Sequence, residues 1–552
     1  MLGFQSTQLL SGRSPRETRF QADSIFVWKV RFWRGALSPV RLPEPSVVSR
    51  SRPGHFAVRG PPKEVVTRMS PMSLGFRNRP TIARYKLLVF LGALTFILYL
   101  DRVSIGQAAP SIQAELNISD GAIGWVFGAF TLAYGLFEVV TGAWGDRYGS
   151  RRVLTRIVLW WSAFTVLTGC VPAFSWRIES WLGLEGFWPS RGWVVAFNSF
   201  AVLMVVRFLF GAGEAGALPN TARVVSRWFP LAERGLAQGT VLTCMLAGAA
   251  ASYPLAGTII GHYGWRWTFV LFGGLGVLWA GAFYWWFRDD PAEHSGVNAA
   301  ELEWITSGIP AQSGNGGHPP IPWSFVLSES NVWLLGGIIS CAAFTAYFYA
   351  FFFPTYLQNG RGMAASGSGW YAGMVTLGGA CGAFFGSMLA GWADRSQLNP
   401  RWKRSLMGCG LMGTSAIVLS LSVACDTPIG ASLCVMLAYG LAQAQQATWW
   451  SVVADISGKH LGAMFGLMNS MGVPGAVLST VFTGRFVGQN KARGLLGRDA
   501  WDPIFIYFVG VLAVGALLWL FVDVTRSAVE PDEATAEGLL AGKLVPEPAP
   551  AA

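Results

Sequence analysis

Gly142-Ala-Trp-Gly-Asp146-Arg147-Tyr-Gly149-Ser-Arg151-Arg152 is a short basic turn between two long apolar runs, and it returns in altered form as Gly386-Ser-Met-Leu-Ala-Gly-Trp-Ala-Asp394-Arg395. Each copy follows the second apolar run of a set of six. An echo at corresponding positions marks an internal repeat of the kind that two parallel six-helix halves produce. Around these turns lie twelve runs long enough to cross a bilayer, at about 20 residues each. They fall at 86–109, 122–144, 153–173, 194–218, 236–260, 267–287, 331–357, 367–392, 405–425, 429–451, 461–484 and 503–524. The expected fold is an all-α polytopic membrane protein with twelve transmembrane helices in two pseudo-symmetric six-helix bundles, over 84–287 and 331–525. Residues 288–330, polar and rich in Gly and Pro, form a cytoplasmic loop between the bundles.

Composition agrees. Hydrophobic residues make up 52% of the chain and charged residues 13%, well below the roughly 25% of a soluble protein. The 26 Trp suit helices anchored at lipid–water interfaces. The seven Cys have no paired spacing and read as small packing residues, not as disulfides or metal ligands. The net charge of +11 belongs to the N-terminal segment: residues 1–86 hold 16 Lys and Arg against 4 Asp and Glu. No nucleic-acid-reading module accompanies that charge, so no nucleic acid is expected as a partner. Residues 1–80 lack sustained periodicity and a signal-peptide core, and they read as a disordered basic extension with Met69 or Met72 as the natural start. Residues 526–552 read as a disordered tail.

Basic residues after the second and eighth spans place those loops, and both termini, in the cytoplasm. One loop disagrees: Arg485, Lys491, Arg493 and Arg498 fall on the expected outer side. The Trp- and Pro-containing segment 174–193 is expected to be an outer loop.

Charge also sits where lipid should be. Tyr99-Leu-Asp101-Arg102 lies midway through the first apolar run, and Arg207-Phe-Leu-Phe-Gly-Ala-Gly-Glu214 lies in the fourth. A charge at the bilayer centre costs about 2.5–3.5 kcal/mol even on lenient scales, and such residues usually face a bundle interior or a water-filled path. A carboxyl held between burial, which penalises its charged form, and a guanidinium, which favours it, can load and release a proton. Asp101 and Glu214 are therefore the proton-coupling candidates; the competing reading is a fixed ion pair with Arg102 or Arg207. The five His (55, 262, 294, 318, 460) all fall outside the membrane centre, which leaves protons to the carboxylates. Arg207 and Glu214 are seven residues apart, about 10 Å along one helix face, too far to pair directly.

The chain resembles the major facilitator superfamily, most strongly through Gly142 to Arg152, which fits the pattern G-x-x-x-D-R-x-G-x-R-R. Within it, Tyr99–Arg102, Arg207–Glu214 and the stretch Arg223 to Pro230 through Glu233-Arg234-Gly235 resemble the anion:cation symporter branch, which includes sugar-acid, hexuronate and other organic-anion carriers. The resemblance spans about residues 84–525. It implies proton sites at Asp101 and Glu214 and an anion-clamping Arg102, against the alternative that Arg102 simply neutralises Asp101. It implies ligand contacts at Tyr99 and Tyr134, otherwise ordinary packed aromatics, and places Asn469 near a ligand position. Arg207 is assigned to another helix or to the cavity, and Tyr347, Tyr349, Gln443, Gln446 and Trp449 to the cavity's second half. Asp146, Arg147, Arg151, Asp394 and Arg395 read as a cytoplasmic gating latch, with topology retention as the alternative; Glu138 reads as structural.

The implied activity is proton-coupled uptake of a small organic anion by alternating access. No enzyme activity, metal or cofactor beyond the coupling proton is expected. The protein would work as a monomer in the plasma membrane, the inner one if bacterial. One departure bears on the substrate: Thr243-Cys244-Met245-Leu246 stands where sugar-acid carriers commonly have a Gln, which opens the site to less polar monocarboxylates. A proton-coupled drug or metabolite efflux antiporter is the alternative, although Gly248–Gly257 lacks the G-P-x-x-G-G pattern of that class. A membrane sensor that has lost transport is a further option. Gly211-Ala-Gly213-Glu-Ala-Gly216 matches a dinucleotide fingerprint in form only, because it lies inside an apolar helix.

Overall fold

The computed structural model describes residues 79–177, 196–307, 323–394, 399–457 and 461–524. The chain divides between Leu74 and Gly75, and everything described here belongs to the second unit. The expectations for residues 1–78 and 526–552 lie outside the described residues. The first half consists of α1 (Ala83–Leu116), α2 (Asp120–Tyr148), α3 (Ser150–Cys170), α4 (Ser199–Glu214) continued by α5 (Ala217–Trp228), α6 (Arg234–Tyr263) and α7 (Trp265–Trp286). Two short strands, β1 (Ser175–Arg177) and β2 (Ala196–Asn198), pair antiparallel before α4. The fourth span therefore starts at Ser199 rather than at 194, where the Asn198 side chain accepts from the Ala201 N–H and caps the helix.

The connection carries α8 (Ala299–Thr306) and α9 (Trp323–Ser328). The second half holds α10 (Ser330–Tyr347), α11 (Ala365–Asp394), α12 (Pro400–Ala424), α13 (Pro428–Ile456), α14 (Leu461–Ser470), α15 (Gly472–Ala492) and α16 (Phe505–Phe521). Among the described residues, ten helices are long and apolar enough to cross a membrane. The other two expected spans are less apolar or less continuous. The tenth is the 29-residue α13, diluted by Gln443, Gln445 and Gln446. The eleventh is interrupted at Met471 into α14 and α15.

Proline explains how the halves join. Pro110 inside α1 has no N–H for the carbonyl of Gly106, and Pro354, beyond α10, has none for the carbonyl of Ala350. Each freed acceptor is taken by the opposite half: the Thr355 hydroxyl donates to Gly106 at 3.3 Å, and the Tyr253 hydroxyl donates to Ala350 at 2.9 Å. Around Pro354 the backbone loosens into π-helical turns at Phe348–Phe352 and Tyr356–Gly360. Glycines let the same helices touch. A Cβ on Gly124 of α2 would strike the Thr480 carbonyl of α15, and one on Gly369 of α11 would strike the Tyr253 carbonyl of α6. Lys491 pairs with Asp120 at 2.9 Å, and the Gln107 amide donates to the Ala365 carbonyl at 2.6 Å. The halves are sealed at the Asp120–Lys491 end.

Tyr253→Phe combined with Thr355→Val leaves two buried carbonyls unpaired only while this seal is closed, at about 1–3 kcal/mol each. The double variant is expected to favour opening there. In a cysteine-depleted background, an impermeant thiol reagent applied from the Asp120 side should label Ala343→Cys severalfold faster; unchanged labelling contradicts this role.

The basic loop that disagreed with the expected orientation is largely neutralised. Lys491 meets Asp120, Arg498 meets Asp426 and Asp502, and Arg485 lies 5.4 Å from the Trp125 ring. At the other end, Glu301 of α8 accepts from the backbone N–H groups of Ala83 and Arg84 and from the Arg84 guanidinium, and it also meets the Thr81 hydroxyl. A carboxylate at a helix start satisfies orphan donors and complements the helix dipole, so the connection is pinned to α1. Cys425 and Cys434 approach to 3.9 Å between sulfurs, a proximity that their spacing did not reveal, although both are free thiols.

Candidate functional site

Asp101 and Arg102 are neighbours on α1, so their side chains leave the helix about 100° apart. Arg102 borders a cavity of about 310 Å³ lined by both halves: Tyr99 and Val103 from α1, Tyr347, Ala350 and Phe351 from the α10 region, and Tyr439, Gln443 and Gln446 from α13. Asp101 turns into the first bundle and is fully buried. Arg102 Nε donates to Glu214 Oε1 at 2.8 Å, and Nη1 donates to the Tyr99 hydroxyl at 3.1 Å. The Tyr99 and Tyr134 rings each lie 4.6 Å from the guanidinium carbon, so packing holds the group in one pose. Nη2 is buried without a protein partner. Arg102 thus pairs with Glu214 on α4, and not with its neighbour Asp101.

Behind this pair lies a second layer. Arg207 is fully buried, 4.3 Å from the Phe210 ring and 5.5 Å from the Phe130 ring, and none of its guanidinium nitrogens has a hydrogen-bond partner. Asp101 has neither carboxylate oxygen bonded; the groups facing it are Glu214, Arg207 and Trp161. Glu138 faces Arg102 and Tyr134. Two guanidinium groups therefore sit among three carboxyl groups, of which Asp101 and Glu214 are buried and Glu138 is half-buried.

Several expected positions are placed elsewhere. Arg207 does not border the cavity, because Phe130 and Phe210 cover it. Trp449 is fully buried and its indole N–H donates to the Leu335 carbonyl at 2.9 Å, which braces α13 on α10. Tyr349 packs behind the wall, its ring 5.0 Å from that of Tyr439. Asn469 is exposed near the end of α14, one residue before the helix ends at Ser470, and is not part of the cavity lining. In the expected latch, Arg151 is held by the first half and the start of the connection: its guanidinium donates to the Tyr284 carbonyl at 2.6 and 2.9 Å, and its backbone N–H donates to Asp289. Arg147 is exposed beside Tyr148. Arg395 and the side chains of Asp146 and Asp394 lie outside the described residues.

Sequence reading missed Tyr439, although its spacing from Gln443 and Gln446, four and seven residues, puts all three on one helix face. Phe130, Tyr134 and Glu138 follow the same rule on α2. Trp161 had no comparable signal. The glycines of the apparent dinucleotide fingerprint serve packing: Gly211 approaches the Phe130 carbonyl, Gly213 the Trp160 ring, and Gly216 Thr141 and Ile157.

The Major Facilitator Superfamily model matches residues 91–480. The chain is 28% identical over 456 residues to the probable sulfoacetate transporter SauU of Cupriavidus necator, covering 82% of this chain and 97% of that one. It is also 28% identical over 470 residues to the probable galactarate/D-glucarate transporter GudP of Escherichia coli K12, at 82% and 97% coverage. A bacterial homologue of the human lysosomal transporter Spinster, in an inward-facing and occupied conformation, superposes with a TM-score of 0.63 at 17% identity, covering 80% of this chain and 97% of that one. With that match over most of its membrane part and a cavity shared by two helical halves, the chain is an integral, multi-pass member of the major facilitator superfamily, a transporter and not an enzyme.

Proposed function

We propose that this transporter imports an organic anion together with protons by alternating access. The observation that carries the reading is a shared guanidinium: Arg102 borders the cavity yet is bonded to the buried Glu214. An anion that takes Arg102 removes the partner of Glu214. A buried carboxylate without its cation is too costly to keep ionised, so Glu214 then takes a proton. Asp101, one layer deeper and facing both Glu214 and Arg207, is the second proton position. Anion and proton are thereby loaded together, and release of one expels the other. The sugar-acid and sulfoacetate specificities in the relatives' names support an anionic substrate.

Basic loops place the Arg147–Arg151 end in the cytoplasm, so the seal at Asp120–Lys491 is the outer one and the cavity's exit faces inward. On that assignment both termini are cytoplasmic, the membrane is the plasma membrane, and one chain suffices because its two halves complete the cavity.

The test is uptake into proteoliposomes from a panel of labelled sugar acids and short monocarboxylates, with and without external acidification. The expected result is accumulation above equilibrium that a protonophore collapses. Proton-driven extrusion of cationic or neutral compounds, with no anion uptake, contradicts the reading and favours the efflux antiporter.

A further inference from the structure

We infer that the cavity selects monoanions, with one carboxylate or sulfonate head on a short neutral body that forms hydrogen bonds, and discriminates against dianions of the same length. This rests on the organic-anion reading above and narrows it. Arg102 is the one charged residue among the described residues that line the cavity. Nη1 is held by Tyr99, Nη2 has no protein partner, and Nε is freed only as Glu214 gives up the guanidinium, so the group presents one fork to one anionic head. The opposite wall offers Tyr347, Tyr439, Gln443 and Gln446, all neutral, interspersed with alanines. Those hydroxyls and amides suit alcohols, carbonyls or a protonated acid. A second carboxylate there meets hydrogen-bond donors but no cation, so its charge is taken out of water without a counter-charge.

The surrounding charge points the same way. Arg207, the other cation of the cluster, is screened from the cavity by Phe130 and Phe210 and faces Asp101. With Glu214 protonated in the loaded state, Asp101 and Glu138 still balance the two guanidinium groups, so the cluster offers no surplus positive charge to a second carboxylate. A dianion fits this wall only after one of its carboxylates has been protonated.

Galactonate and galactarate share one carbon chain and differ by a single terminal carboxylate, which makes them the probes. Both are measured as ligands of the purified full-length protein at about pH 7.5, where every carboxyl of either probe is ionised. Galactonate is expected to bind at least tenfold more tightly. Acidification should narrow the ratio as galactarate takes up a proton. Gln446→Arg, which sets a second cation on the neutral wall, should shift the ratio at least tenfold toward galactarate, with a monodisperse gel-filtration profile and a parent-like thermal unfolding midpoint showing that the variant is folded. Equal or tighter binding of galactarate by the unaltered protein overturns the inference but leaves the anion reading intact. Failure of both probes, together with every other anion of the uptake panel, removes both.

Discussion

Arg102→Ala is expected to abolish measurable anion binding. The substitution removes the one cation among the described residues of the cavity wall and leaves Glu214 buried with neither oxygen bonded. Truncating one partner of a buried, hydrogen-bonded charge pair costs about 2–5 kcal/mol, roughly 30-fold to several thousand-fold in affinity. The loss should be specific to ligand. The Tyr99, Phe130 and Tyr134 rings that pack around the guanidinium remain to hold the helices, and Glu214 sheds its cost by taking a proton. Arg102→Lys separates charge from shape: it keeps a cation but loses the planar fork that meets Glu214, Tyr99 and the ligand together. It should recover folding fully and affinity only in part. Calorimetric titration or scintillation proximity on the purified variants measures this, and wild-type affinity in Arg102→Ala removes the clamp.

Glu214→Gln is expected to remove the share of acid-driven accumulation that the Glu214 proton supplies while counterflow of preloaded anion survives. The amide copies the protonated acid in shape and charge, so the cavity behaves as if permanently proton-loaded and Arg102 is always free for substrate. A gradient of one pH unit supplies about 1.4 kcal/mol, or tenfold accumulation, for each coupled proton. The variant should forfeit that factor while its exchange rate stays within a few-fold of the parent. Asp101→Asn in the same background reports whether a second proton moves: a further tenfold loss per pH unit assigns one to Asp101, and no change assigns the coupling to Glu214 alone. Unchanged acid-driven accumulation in Glu214→Gln rejects its role.

Legibility followed the range of the physics involved. Apolar length and loop charge act locally, so the helical halves and the break at 288–330 could be read directly, and so could the burial of Asp101, Arg102, Arg207 and Glu214. The choice of partners between helices could not. That Arg102 reaches Glu214 while Asp101 turns toward Arg207 and Trp161 depends on the rotation of α1 against α3 and α4, which no pattern within a single helix encodes. The same limit explains α13. Gln446 and Trp449 are three residues apart and were grouped together, yet a turn less than fully closed sends one to the cavity and the other to the Leu335 carbonyl. The break at Met471, among Gly466, Gly472 and Pro474, was signalled by composition but concealed by overall hydrophobicity.

The account's central claim is that one guanidinium is exchanged between a buried acid and an incoming anion. The direct measurement is proton movement on anion binding: detergent-solubilised protein in weak buffer near neutral pH receives the tightest anion of the panel while a pH indicator is followed. The account predicts uptake of about one proton per anion bound, absent in Glu214→Gln. Saturable anion binding by the unaltered protein with no proton taken up contradicts it.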